Sequence, residues 1–230
     1  MDTVYNYDQS YYRPNSLASG VVRNTVLGQV LGLLGMSFVF TAIGAWLGTN
    51  LGPGAFVPAL IVSFGTLIAL YFVRDRSPLN LGVLYTFATS EGVTLGLLLQ
   101  SYLARGLGGI VIDAAATTAA ITLAAGAYGL TTRRDLSRLG GILFVGLIGV
   151  IVASLLGIVI HLPLLHLGIS VVAAMIFTGF LVYDFNRVAN TAVASTGDAI
   201  MMAVVIYLDI YNLFLNLLTI LQVFGGNNRD

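Results

Sequence analysis

The sequence predicts an all-α polytopic membrane protein, a seven-transmembrane-helix bundle with the seventh helix central, and three observations carry that expectation. The chain is 57% hydrophobic and only 9% charged, against about one quarter charged residues in an ordinary soluble domain. Seven apolar segments are each long enough to cross a bilayer core, which takes about 20 residues at a rise of about 1.5 Å each. The links between them are short and carry breakers or charge, as in "GTNLGPG", "RDRSPLN", "TTRRDLSR" and "HLPLLH".

The segments run over residues 26–47, 55–73, 81–103, 108–130, 139–160, 167–186 and 199–224. Residues 1–22 read as a flexible N-terminal tail, 23–225 as one seven-span membrane domain and 226–230 as a C-terminal tail. The polar, Tyr-rich opening lacks the basic start and short apolar core of a cleaved signal peptide. The first run is therefore expected to stay in the bilayer, and a bacterial plasma (inner) membrane is the expected home. Its 27 glycines suit this class, since small residues let membrane helices approach closely.

Composition also excludes. With no cysteine there are no disulfides, thiolate metal sites or cysteine nucleophiles. All ten basic residues are arginine, so a retinal Schiff base on lysine is ruled out. A net charge of zero without blocks of like charge argues against a nucleic-acid partner. No histidine lies within a span, and the membrane aspartates are followed by Phe185 and Ile210 rather than glycine, so an enzyme is not expected.

Arginine placement sets the expected orientation, because loops rich in Lys and Arg stay cytoplasmic. Arg13, Arg23, Arg74, Arg76, Arg133, Arg134, Arg138 and Arg187 fall on one side, against Arg105 and Arg229 on the other. The N-terminus is then cytoplasmic and the C-terminus outside.

Four acids fall inside spans: Asp113, near the outer end of the fourth and expected to be interfacial, and Glu91 in "TFATSEGVTLG", Asp184 in "GFLVYDFNRV" and Asp209 in "VVIYLDIYNLFLNLL". A charged side chain at a helix centre costs about 2.5–3.5 kcal/mol on insertion scales, so such residues face the bundle interior and find partners. Glu91 and Asp209 each lie about ten residues into their spans, roughly 15 Å deep. Asp184 comes from the other direction and can meet Asp209 if the sixth helix continues a turn past Asn186. On the seventh span, Asp209, Asn212, Asn216 and Thr219 share an arc of about 80 degrees, a polar stripe on an otherwise apolar helix. Plainer roles stand beside these: an Asp184–Arg187 pair one turn apart, the stripe as interhelical hydrogen-bond glue, and Glu91 as a protonated acid bonded to a carbonyl. His161 and His166, around Pro163, are too isolated to argue a metal site.

The pair "FTGFLVYDFNRVAN" and "IYLDIYNLFLNLLTIL", with "NLGVLYTFATSEGVTLG" in the third span, resembles the Bax inhibitor-1 family of seven-span membrane proteins over roughly residues 20–225. Phe185 and Asn186 stand where relatives often carry Thr and Gln, and Thr219 where Arg is common. The resemblance implies a pH-sensitive calcium-leak channel in which Asp184 and Asp209 form a proton-sharing dyad, with Arg74, or next Arg76, as a latch at the cytoplasmic end of the second span. Two carboxylates close together away from water cannot both ionise cheaply, so a proton becomes a switch. Deprotonated, Asp184 and Asp209 offer Ca²⁺ hard oxygens but fewer than the six to eight ligands it prefers, so Ca²⁺ would bind weakly, as a permeant ion rather than a cofactor. Glu91, Asn212, Asn216 and Thr219 are then pore-lining or supporting residues. The expected partners are the lipid bilayer, Ca²⁺ and protons. The alternative is a membrane interaction protein that modulates a membrane protease or a stress or cell-death pathway through a protein partner, without transport of its own.

Overall fold

Hydrocarbon offers no partner for backbone N–H and C=O groups, so a chain of long apolar runs must satisfy them within each run, as helix. The computed structural model describes residues 16–160, 162–190 and 195–226, and these form seven long helices joined by short links. They are α1 (Ser16–Asn50), α2 (Phe56–Val73), α3 (Leu79–Ala104), α4 (Gly108–Thr131), α5 (Ser137–Ile160), α6 (Pro163–Asn190) and α7 (Thr196–Gly226), with one 3-10 turn, Pro53–Ala55, before α2. All seven are long and apolar enough to span a membrane. The tail expectations for residues 1–15 and 227–230, and the reading of His161, lie outside the described residues.

The differences from the expected spans sit at helix ends. α1 begins at Ser16, inside the stretch expected to be a loose tail up to residue 22. Once a span is helical, each added residue costs only propagation rather than nucleation. α6 starts at Pro163, tolerated in a first turn where its missing N–H has no partner to lose, and runs to Asn190, one turn past Asn186. Between α3 and α4, Gly106 takes the left-handed conformation (φ 72°) while the Leu107 N–H returns to the Tyr102 carbonyl at 3.0 Å. That closed turn lets α4 start at Gly108. Before α5, the Asp135 carboxyl accepts the Ser137 N–H at 2.9 Å, a bond that holds this exposed acid below the usual carboxylate range.

Helix α7 is central: it packs against α6, α4, α1 and α3, and its Ile200, Ile206, Tyr207, Leu213 and Leu218 are fully buried. α2 packs chiefly on α3, and α5 chiefly on α6, so both sit at the periphery. Their outward faces are apolar, with Phe72 70% and Val159 76% exposed, the surface a lipid environment requires.

α1 and α3 pack backbone to backbone, with Gly44 and Gly92 against each other, Gly48 against Val93 and Gly96 against Ala45. A Cβ on Gly44 would strike the Thr89 carbonyl, and one on Gly92 the Thr41 carbonyl. The obstacle is backbone on both sides, so no side chain can swing away. Gly92→Ala is expected to lower thermal stability in detergent by about 1–3 kcal/mol, the usual cost of overpacking. Gly35→Ala, where a Cβ meets nothing within 4 Å, should leave the midpoint near wild type.

Candidate functional site

Helical periodicity alone puts Asp184 on a particular face of α6. Ala173, Phe177, Phe180, Asp184 and Arg187 recur at three- and four-residue steps and line one cavity, of about 720 Å³, with Asp209, Asn212 and Asn216 of α7 and a wall of α5. Phe185 and Asn186 point the other way. The Phe185 ring covers Gly126 of α4, and Asn186 Nδ2 donates to the Gly129 and Thr132 carbonyls at 3.1 and 3.3 Å. α6 is thereby fastened to the end of α4 on one side and presents its acid on the other.

The extra turn of α6 past Asn186 brings the two aspartates together. Asp184 and Asp209 are each only 5% exposed, and their carboxyls lie within hydrogen-bonding reach of one another. Two carboxylates have no donor between them, so the contact calls for a shared proton. Asp209 Oδ2 is buried and has no hydrogen-bond partner. Arg187 faces the same cavity and its charge acts on Asp184, while the ion pair found within 4.0 Å among the described residues is a different one, Arg74 with Asp75 at 3.4 Å.

The rest of the polar stripe behaves differently from interhelical glue. Asn212 donates to the Leu208 carbonyl at 2.8 Å, Asn216 to Asn212 at 2.8 Å and Thr219 to Leu215 at 3.0 Å, all within α7. Each asparagine thus gives an N–H to its own helix while its side chain lines the cavity. Thr219 is not among the residues lining it.

Glu91 and Arg74 stand apart from the aspartates. Ser63 of α2 donates its hydroxyl to Glu91 Oε1, and the Tyr211 hydroxyl donates to the Glu91 backbone carbonyl at 3.1 Å. Tyr207 shares a 2.8 Å bond with Thr41 of α1, and Tyr211 a 3.3 Å contact with Thr94 of α3. These tyrosines flank Asp209 at two residues on either side, so at about 100 degrees per residue they face away from it. Arg74 is half-exposed at the end of α2 beside Asp75, whose Oδ1 accepts the Ser195 hydroxyl at 2.9 Å. Ser195 in turn caps α7 by accepting the Asp198 N–H at 3.2 Å. The arginine that faces the aspartates is thus Arg187, while Arg74 is tied to the start of α7. The tyrosine network is quiet in the sequence because tyrosines are common at the ends of membrane spans. Its signal was there in the i, i+4 placement of Tyr207 and Tyr211 around Asp209.

Direct contact makes the two acids energetically dependent. A double-mutant cycle on thermal stability with Asp184→Asn and Asp209→Asn is expected to be non-additive by about 0.5–3 kcal/mol, the range for touching residues in one network. Additivity within error would mean that the two side chains do not meet.

Comparison with known proteins agrees with this architecture. The family described as "Inhibitor of apoptosis-promoting Bax1" matches residues 23–228. Among similar proteins are a membrane protein of Vibrio cholerae, 34% identical over 95% of this chain and 98% of its own, and the modulator of FtsH protease YccA of Escherichia coli, 32% identical over 91% of each. The Golgi anti-apoptotic protein of vaccinia virus is 31% identical over 95% of this chain and 92% of its own. With the family match spanning nearly the whole chain and seven membrane-length helices in place, this protein is a multi-pass integral membrane protein of the Bax inhibitor-1 family.

Proposed function

We propose that the chain is a proton-regulated calcium leak in which Asp184 and Asp209 form the cation site. The observation that carries this reading is the contact of two buried carboxyls at a cavity that also holds Arg187, Asn212 and Asn216. Among the described residues no three His, Cys, Asp or Glu side chains cluster. Ca²⁺ at the pair therefore takes the rest of its six to eight oxygens from Asn212, carbonyls or water, and is held loosely enough to leave. Protons and Ca²⁺ compete for the same charge. The bundle sits with its N-terminus cytoplasmic, which puts Arg187 and Arg74 at the cytoplasmic end. Arg187 is the standing counter-cation, and Arg74 serves as a latch once Asp75 releases it. No catalytic step is part of this reading.

A second reading takes its support from a relative's name. Escherichia coli YccA is a modulator of FtsH protease, and a similar role here makes the protein a regulator that works through a membrane-protein partner. Flux from the purified chain separates the two, because a leak needs no partner.

Ca²⁺ flux into proteoliposomes tests the first reading. The Ca²⁺ concentration for half-maximal flux should rise as pH falls, because a proton removes the charge that attracts the ion. Asp184→Asn and Asp209→Asn should each flatten that pH response. Flux and pH response unchanged in both variants would overturn the mechanism.

A further inference from the structure

The cavity beside the two aspartates is larger and more apolar than a metal ion requires. α5 packs chiefly on α6, which leaves a gap between α5 and α7, and the gap is walled by Phe144, Leu147, Ile151, Phe177 and Phe180. Its volume, about 720 Å³, falls in the range of small-molecule pockets, about 300–1,000 Å³. Water gains little against such walls, since a retained water needs two to four polar partners. Hydrocarbon fits them. The polar end of the same cavity is acidic: the carboxyl groups of Asp184 and Asp209 meet there. Asp209 Oδ2 is buried there without a hydrogen-bond partner.

We propose that this crevice binds a single-chain lipophilic amine, with its ammonium at Asp184 and Asp209 and its hydrocarbon chain along the α5 and α6 wall. The assignment rests on the same carboxyl pair as the leak, and it gives that site a second class of ligand that competes with Ca²⁺. Charge and shape select together. One ammonium supplies three donors, enough to serve both carboxyls, and its tail fills the volume that an ion leaves empty. Arg187 lines the crevice as a built-in rival cation, so it weakens the amine rather than helping it.

Native mass spectrometry of the full chain in detergent, free of Ca²⁺ at neutral pH, tests this with dodecylamine as probe. The wild type is expected to retain one amine per chain. Asp209→Asn and Leu147→Trp, which remove the charge and fill the apolar wall respectively, should each cut retention at least tenfold. Arg187→Gln should raise it, a response that mere structural damage does not produce. Dodecanol, with the same chain and no charge, should not be retained. Equal retention of dodecylamine by wild type and Asp209→Asn, or retention of dodecanol as strong as that of the amine, overturns the proposal. Because retention is scored without Ca²⁺, a failed flux assay leaves it standing, and lost retention with intact flux removes it alone.

Discussion

Everything in this molecule is arranged around one constraint: two carboxyl groups from adjacent helices meet inside the helix bundle. Asp184 and Asp209 are as buried as the apolar core. In hydrocarbon an isolated charge is expensive, and two together more so, so the site exists only because a proton, an internal arginine or a cation can settle the charge. Rigid helices hold the carboxyls in contact. α6 is pinned to α4 through Asn186 and Phe185, and α7 is gripped by four neighbours.

Helix α7 carries polar chemistry on two faces and keeps the two apart. Toward α6 it shows Asp209, Asn212 and Asn216; toward α1 and α3 it shows Tyr207 and Tyr211, bonded to Thr41 and to the Glu91 carbonyl. The first face has oxygens unspent on other helices, whereas the second is closed by hydrogen bonds between helices. A satisfied network rigidifies and an incompletely satisfied one invites a ligand. Function is therefore read from the first face, and the second is scaffold that fixes the height and rotation of Asp209.

Packing density divides the bundle in the same way. At the α1–α3 contact, glycines let backbones touch and leave no room even for a methyl group. Between α5 and α7 the helices stand apart and leave a cavity. Membrane helices lack a hydrophobic force to close such gaps, because lipid tails are as apolar as leucine. A gap costs less here than in a water-soluble core, where burial drives helices together. The end of α2 is linked to the start of α7 through Asp75 and Ser195.

By itself the sequence determined the number of helices and their approximate extents, because hydropathy over about 20 residues is a local property and the bilayer punishes every exception. It also singled out Asp184 and Asp209, since an acid inside an apolar run is conspicuous wherever the run ends up. Their meeting was conditional on one further turn of α6. Only the tertiary structure decided that turn, together with the company each polar residue keeps. Glu91 and Asp209 lie at similar expected depth in their own helices, yet Ser63 and Tyr211 draw Glu91 to one side of α7 while Asp209 turns to the other. Arg187, three residues from Asp184, faces the cavity, whereas Arg74 pairs with Asp75. Helical spacing states which residues share a face of one helix. Which neighbour that face meets depends on rotation and crossing, and these are set by contacts such as Gly44 against Thr89 that join residues far apart in the chain.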